Sequence, residues 1–208
     1  MKYDKYYVKQ MFQKGAQACD VLLEVGRFEW WDLFNNFMAG KTKEVTKGPC
    51  THLAVMVKDG DMIEATGDGM RVNPLSRLTN SPRGVIVFRN KNITEEQKKS
   101  VLRYLYVCAN LKVPYDYPGL VRFLCPWIEQ SKSSLFCSEA GTNAFNIADE
   151  DYGGIGFDVK ISDKPSDATS PNDAFRYLIS SEGIKNGWEI VDSQNMDLKA
   201  LLTDYSPK

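Results

Sequence analysis

The apolar positions of this chain change period several times, and each change marks an element. Cys19-Asp20-Val21-Leu22-Leu23-Glu24-Val25 is a short apolar run ended by Gly26 and reads as a strand. His52-Leu53-Ala54-Val55-Met56-Val57 and Met62-Ile63-Glu64-Ala65 read as the two strands of a hairpin turning at Lys58-Asp59-Gly60-Asp61. A turn at Gly67-Asp68-Gly69 leads into Met70-Arg71-Val72. A helical turn over 74–78 follows, and then a strand, Val85-Ile86-Val87-Phe88-Arg89. Beyond this the period lengthens. Thr94-Glu95-Glu96-Gln97 has the form of a capping box, and behind it Val101, Leu105 and Cys108 share one face of a helix running to about Leu111. Further helices are predicted from Cys137 to about Ile147 and behind Ser170, with Pro171 at its first position. Trp188-Glu189-Ile190-Val191 is a last strand.

The stretches between are less regular. Residues 2–18 predict a short amphipathic helix. Residues 27–47, with Trp30-Trp31, predict an aromatic-rich helix closing at Gly40. Residues 120–128 predict a short helix broken at Pro126. Residues 148–170, acidic and rich in Gly and Ser, read as a long loop or lid, and the tail from Asp197 to Leu202 as a short helix or frayed end. About six strands with helices in mixed order, and no regular βαβ alternation, predict an α+β domain on an antiparallel sheet packed with helices. The division expected is an N-terminal helical extension at 1–18, the domain at 19–195 and a tail at 196–208.

Composition narrows the chemistry. The 208 residues carry a net charge of −1, so no basic footprint points to nucleic acid. The five cysteines, at 19, 50, 108, 125 and 137, are scattered without a C-x-x-C pair, and there is a single His. That argues against a zinc site and a disulfide scaffold, and for a reducing compartment. No signal-peptide core and no bilayer-length apolar run are present, so a cytoplasmic protein without an integral membrane segment is expected. There is no phosphate-binding Gly loop and no G-x-S-x-G, and neither a metal nor a cofactor is expected.

What remains is thiol chemistry. Ser134-Leu135-Phe136-Cys137-Ser138-Glu139-Ala140 reads as a chain segment entering a buried helix with Cys137 in its first turn. Unpaired N–H groups and partial positive charge at that end stabilise a thiolate and can hold an oxyanion. A thiol nucleophile needs a base, and His52 is the only His. Glu64, on the next strand of the hairpin, can orient the imidazole. It lies beyond direct register with His52, so a bulge or a wider loop is required. Cys50 shares the His52 strand but has no adjacent helix N-terminus.

Thr51 to Val57, then Ile63-Glu64-Ala65, then Gly69 to Leu75, resemble the first half of the circularly permuted NlpC/P60 (papain-like) cysteine hydrolases of the YiiX/YebB-like group. Pro114-Tyr115-Asp116-Tyr117 and Phe136-Cys137-Ser138-Glu139 resemble the second half, and Asp20-Val21-Leu22-Leu23 the opening strand. The resemblance spans about residues 19–191, with His before Cys as in the permuted group. It implies a circularly permuted papain-like fold, with Cys137 as nucleophile, His52 as base and Glu64 as orienting residue. Tyr115, Tyr117 and Ser138 are then the candidates at the oxyanion or substrate, Tyr115 preferred of the two tyrosines. Glu139 takes a structural role at the helix start. The family has Gly where this chain has Cys19. The implied activity is amide hydrolysis on a small peptide or isopeptide. A lipid-acyl substrate, as in related acyltransferases, and a non-catalytic binding protein retaining the fold are the alternatives. Many of those acyltransferases carry a membrane anchor and a second His where this chain has Glu64. A cell-wall substrate would need a phage-like or other non-standard route.

Overall fold

A computed structural model describes residues 15–26, 48–58, 60–80, 83–122, 133–152 and 158–205. The predicted helices at 2–18 and 27–47, and most of that at 120–128, lie outside or largely outside these residues. The described chain is an α+β domain: one six-stranded antiparallel sheet and seven α-helices. The strands are β1 Val21–Val25, β2 Cys50–Lys58, β3 Asp61–Thr66, β4 Gly69–Pro74, β5 Gly84–Asn90 and β6 Trp188–Gln194. Their order across the sheet is β4-β3-β2-β1-β5-β6. β1 is buried along its whole length because it is central, with β2 on one side and β5 on the other.

The helices are α1 Ser76–Thr79, α2 Glu95–Asn110, α3 Tyr117–Arg122, α4 Cys137–Tyr152, α5 Pro171–Leu178, α6 Ser181–Lys185 and α7 Leu198–Tyr205. The capping box of α2 forms as predicted: Thr94 Oγ1 accepts from Gln97 N–H, and the Gln97 amide oxygen accepts from Thr94 N–H. α5 carries a second box between Ser170 and Asp173. α4 packs against β2 and α2. It approaches the sheet closely because the facing residues are small. Ala140, Ala144 and Ala148 are buried one turn apart, and a Cβ on Gly141 would stand 2.5 Å from Leu53 Cδ2. This close approach brings the first turn of α4 to β2.

One expectation is corrected. The stretch read as a long loop or lid begins as helix, since α4 runs on to Tyr152. From 158 onward it is packed down. Val159 and Ile161 are fully buried, Trp188 donates its indole N–H to Lys160 O at 2.9 Å, and Thr169 Oγ1 bonds Ser162 Oγ at 3.1 Å. Its polar residues bond one another and the main chain, so a polar sequence here makes a buried structure. The tail takes the first of its two expected forms, the short helix α7. Met196 and Leu201 join the core, and Tyr205 packs edge-on against Phe175.

At the start of β1, Cys19 has φ of 68°. That left-handed conformation is the one glycine adopts without steric cost. The cysteine is fixed there by main-chain pairing, Cys19 N–H to Met56 O at 2.8 Å, and by its thiol on Lys98 O at 3.7 Å.

Candidate active site

Two bulges in β2 set the site. Against β1 the pairing runs Val21↔Val55 to Glu24↔His52 and then shifts to Val25↔Cys50, leaving Thr51 as the extra residue. Against β3 it shifts between Lys58↔Asp61 and Met56↔Met62, leaving Val57 extra. One extra residue changes which side chains share a face. In the register beyond the bulge, Ala54 stands opposite Glu64, so Glu64 shares the face of His52 and is its diagonal neighbour. In the register before the bulge, Glu64 would oppose Val55 and face away. The bulge that a His52–Glu64 pair requires is therefore present at Val57. The two side chains meet with Nε2 of His52 2.5 Å from Oε2 of Glu64.

The thiol arrives on α4. The segment before it is held by a short parallel bridge, Tyr115↔Leu135, with Leu135 N–H on Pro114 O at 2.9 Å and Asp116 N–H on Leu135 O at 3.2 Å. Phe136 precedes the helix and accepts the Ala140 N–H, while its own N–H is bonded by the Glu139 carboxylate at 3.4 Å. Glu139 thus closes half of a capping box. Phenylalanine has no side-chain oxygen to occupy the first-turn N–H groups, which stay directed at the sulfur end of the helix.

The Cys137 sulfur is hydrogen-bonded to the His52 ring and accepts from the backbone N–H of Leu53 and Ser138. The Leu53 donor is available for a topological reason. Met56 N–H bonds Asp20 O on the β1 side, and donors alternate along a strand, so Leu53 N–H points toward β3. Pairing with β3 ends at Val55↔Ile63, and the sulfur fills the place a strand partner would have had.

These contacts decide the charge. Burial pushes the Cys137 thiol up, but the His52 charge, its hydrogen bond and the two backbone donors outweigh burial and hold the pKa below the usual thiol value. Burial pushes His52 down, and the Cys137 sulfur and the Glu64 carboxylate outweigh that and raise it. Both shifts favour a thiolate beside an imidazolium. Burial raises Glu64, yet its hydrogen bonds to His52 and Arg77 bring it down to about 2. The His52 side chain is 15% exposed and that of Glu64 0%, so only the imidazole is reached by solvent.

The remaining sequence candidates stand differently to the thiol. Tyr115 is half-buried beside it, and burial together with the Cys137 sulfur keeps its phenol protonated. Tyr117 packs edge-on against Tyr115 with centroids 5.0 Å apart. It is exposed, and its hydroxyl donates to Gly67 O at 3.2 Å. Ser138 reaches the sulfur only through its backbone N–H. Its hydroxyl is buried and donates to Thr169 O at 2.7 Å. Cys50 is not part of the cluster. It is buried, and its backbone is clamped by Asn172, which accepts from Cys50 N–H at 2.6 Å and donates to Cys50 O at 3.0 Å.

Three contributors escaped the sequence reading. Leu53 acts through its main chain, which no residue type announces. Asn73 and Arg77 both bond Glu64, Asn73 Nδ2 to Oε1 at 2.7 Å and Arg77 through Nε and Nη2. Both lie in a segment read as strand end and turn. Among the described residues no group of three or more His, Cys, Asp or Glu side chains is arranged to hold a metal. No described helix is long and apolar enough to cross a membrane. Comparison of the chain with family models, with curated proteins and with solved structures finds no match.

Proposed function

We propose that the chain is a thiol hydrolase of the circularly permuted papain-like (NlpC/P60) kind, cleaving a peptide or isopeptide amide bond through Cys137, His52 and Glu64. The observation that carries the reading is the pairing of Cys137, at the start of α4, with His52, backed by Glu64. The chain order, His on a strand, Glu on the next and Cys opening a later helix, is that of the permuted group.

In the reaction the Cys137 thiolate adds to the amide carbonyl, whose oxygen takes the negative charge and is met by first-turn N–H groups of α4. Collapse of the adduct breaks the C–N bond, and the leaving nitrogen takes the proton of the His52 imidazolium. The resulting thioester is hydrolysed by a water that gives one proton to His52. Breaking of the C–S bond releases the carboxylic acid, which gives its proton to solvent, and restores the thiolate and the imidazolium. Glu64 holds the ring and balances its charge throughout.

The test is site-mapped iodoacetamide labelling against pH in the wild type and in His52→Ala. Cys137 is expected to label below pH 7 on the order of ten to a hundred times faster than a free thiol of pKa ~8.5, and to lose that advantage in the variant. Slow labelling that His52→Ala leaves unchanged overturns the proposal and leaves a binding protein that retains the fold. Cys137→Ala is expected to abolish turnover of any amide the wild type cleaves while unfolding at the same temperature to within a few degrees.

A further inference from the structure

Glu64 has more partners than an orienting carboxylate needs. Beyond His52 it accepts from Asn73 at the end of β4 and from Arg77 on α1. The two donors are four residues apart on one short piece of chain, Asn73-Pro74-Leu75-Ser76-Arg77, which folds around the carboxylate from both ends. The piece is itself anchored. Leu75 N–H bonds Gly60 O at 2.7 Å, Leu78 is buried in a cluster with Met56 and Met62, and the Gln194 side chain donates to Thr79 O at 2.7 Å. The Glu64 side chain is wholly buried, while that of Arg77 is 43% exposed and stands between it and solvent.

We propose that residues 73–77 form a clasp whose Arg77 is a positioning residue for the thiol chemistry, holding Glu64 ionised and aimed at His52. The inference rests on the hydrolase reading above, since its effect is felt through the His52–Cys137 pair. The geometry divides the labour. The two-pronged guanidinium and the Asn73 amide fix the plane of the carboxylate, and one lone pair on Oε2 remains for the imidazole. Among the described residues the charged groups around Glu64 are few. His52 faces it from β2 and Arg77 from α1. Arg71, opposite it on β4, turns its guanidinium to Asp68 at 2.9 Å. Beyond His52 lie Glu24 and Arg83.

A carboxylate that loses such a partner gains a proton more readily. Without Arg77, Glu64 protonates at higher pH, and the charged bond that aims the imidazolium at the thiolate is lost at higher pH as the solution is acidified. A residue that only stabilised the fold would lower the unfolding temperature and leave that titration where it was.

The experiment uses the fact that His52 is the only histidine, so a histidine-labelled sample gives one imidazole signal. Its NMR titration, with site-mapped Cys137 labelling over the same pH range, is recorded for the wild type, Arg77→Met and Arg77→Lys. In Arg77→Met the acid inflection of the imidazole signal and the acid limb of labelling are expected to move up together by about one pH unit or more. Lysine restores the charge without the fork and is expected to recover part of the shift. If Arg77→Met fails to fold, Arg77→Lys decides alone, with a smaller upward shift expected. A wild type with a fast thiol, and variants whose profiles superimpose on it, overturn the clasp and leave the hydrolase reading standing. A wild type with a slow thiol and a neutral His52 overturns both.

Discussion

Two buried glutamates flank His52, and they behave differently. Glu24 lies directly opposite it on β1, and Glu64 is its diagonal neighbour on β3. Each is paired with an arginine, Glu24 with Arg83 at 3.2 Å and Glu64 with Arg77. Register alone favours Glu24, yet the ring bonds Glu64. The difference lies in how the oxygens are used. Both oxygens of Glu64 are committed in fixed directions by Asn73 and Arg77, which leaves an aimed acceptor for the imidazole. Glu24 has a single side-chain hydrogen bond among the described residues, from Arg83 to one oxygen only. Cross-strand adjacency supplies nearness, whereas the donors around a carboxylate decide whether it orients a base.

The comparison breaks or holds on charge removal. Glu64→Gln leaves the imidazolium without its counter-charge and faces Arg77 with an amide. Labelling of Cys137 at pH 6 is expected to fall about a hundredfold. Glu24→Gln is expected to stay within about twofold of the wild type, since Glu24 makes no bond to the ring. Equal losses in the two variants would mean that the field near His52, and not the aimed bond, supports the thiolate.

Acid unfolding sharpens the same contrast. Glu64 titrates in the fold near 2, below the ordinary carboxylate value of about 4.3. Its stabilising charge is therefore fully present above the ordinary value and is lost as pH falls from there toward about 2. The wild type is expected to lose on the order of 2–3 kcal/mol of stability through this group in that window. Denaturant unfolding at stepped pH checks it. Glu64→Gln should lack this part of the acid dependence, and Glu24→Gln should keep it.

Much of the frame was legible in the sequence because burial writes itself into period. The central strand is apolar throughout, the hairpin strands are short apolar runs between turn residues, and Thr94 with Gln97 marks a helix start. His52 and Cys137 could be chosen because the first is the only histidine and the second opens a helix of small residues. Glu64 was legible only conditionally, because the bulge at Val57 leaves no mark on the residues around it. Arg77 and Asn73 were hidden in a segment that reads as turn, where spacing does not say which way a side chain points. The stretch after α4 misled for the opposite reason. Its Ser, Thr and Asp residues look like solvent-facing loop, but Thr169 and Ser162 are buried and bonded to each other.

The start of β2 offers two smaller tests, because it fixes where His52 stands between the two glutamates. Asn172 completes the backbone pairing of Cys50 as a neighbouring strand would. Asn172→Ala leaves both buried backbone groups without that partner and is expected to cost about 2 kcal/mol in unfolding free energy. Labelling of Cys137 should slow with it if the clamp also holds the Thr51 bulge. Thr51 itself donates to the Glu24 backbone oxygen at 3.3 Å and is half-buried. Thr51→Val keeps the shape and the strand preference and removes only this bond, on the Glu24 side of the histidine. A loss of about 0.5–1 kcal/mol is expected, seen as a lower denaturant midpoint with an unchanged slope. The labelling rate of Cys137 should not move, because nothing on the Glu64 side is touched. A slower thiol in this variant would show that the β1 side of His52 aims the ring as well, and that the two glutamates share a task which the geometry divides between them so unevenly.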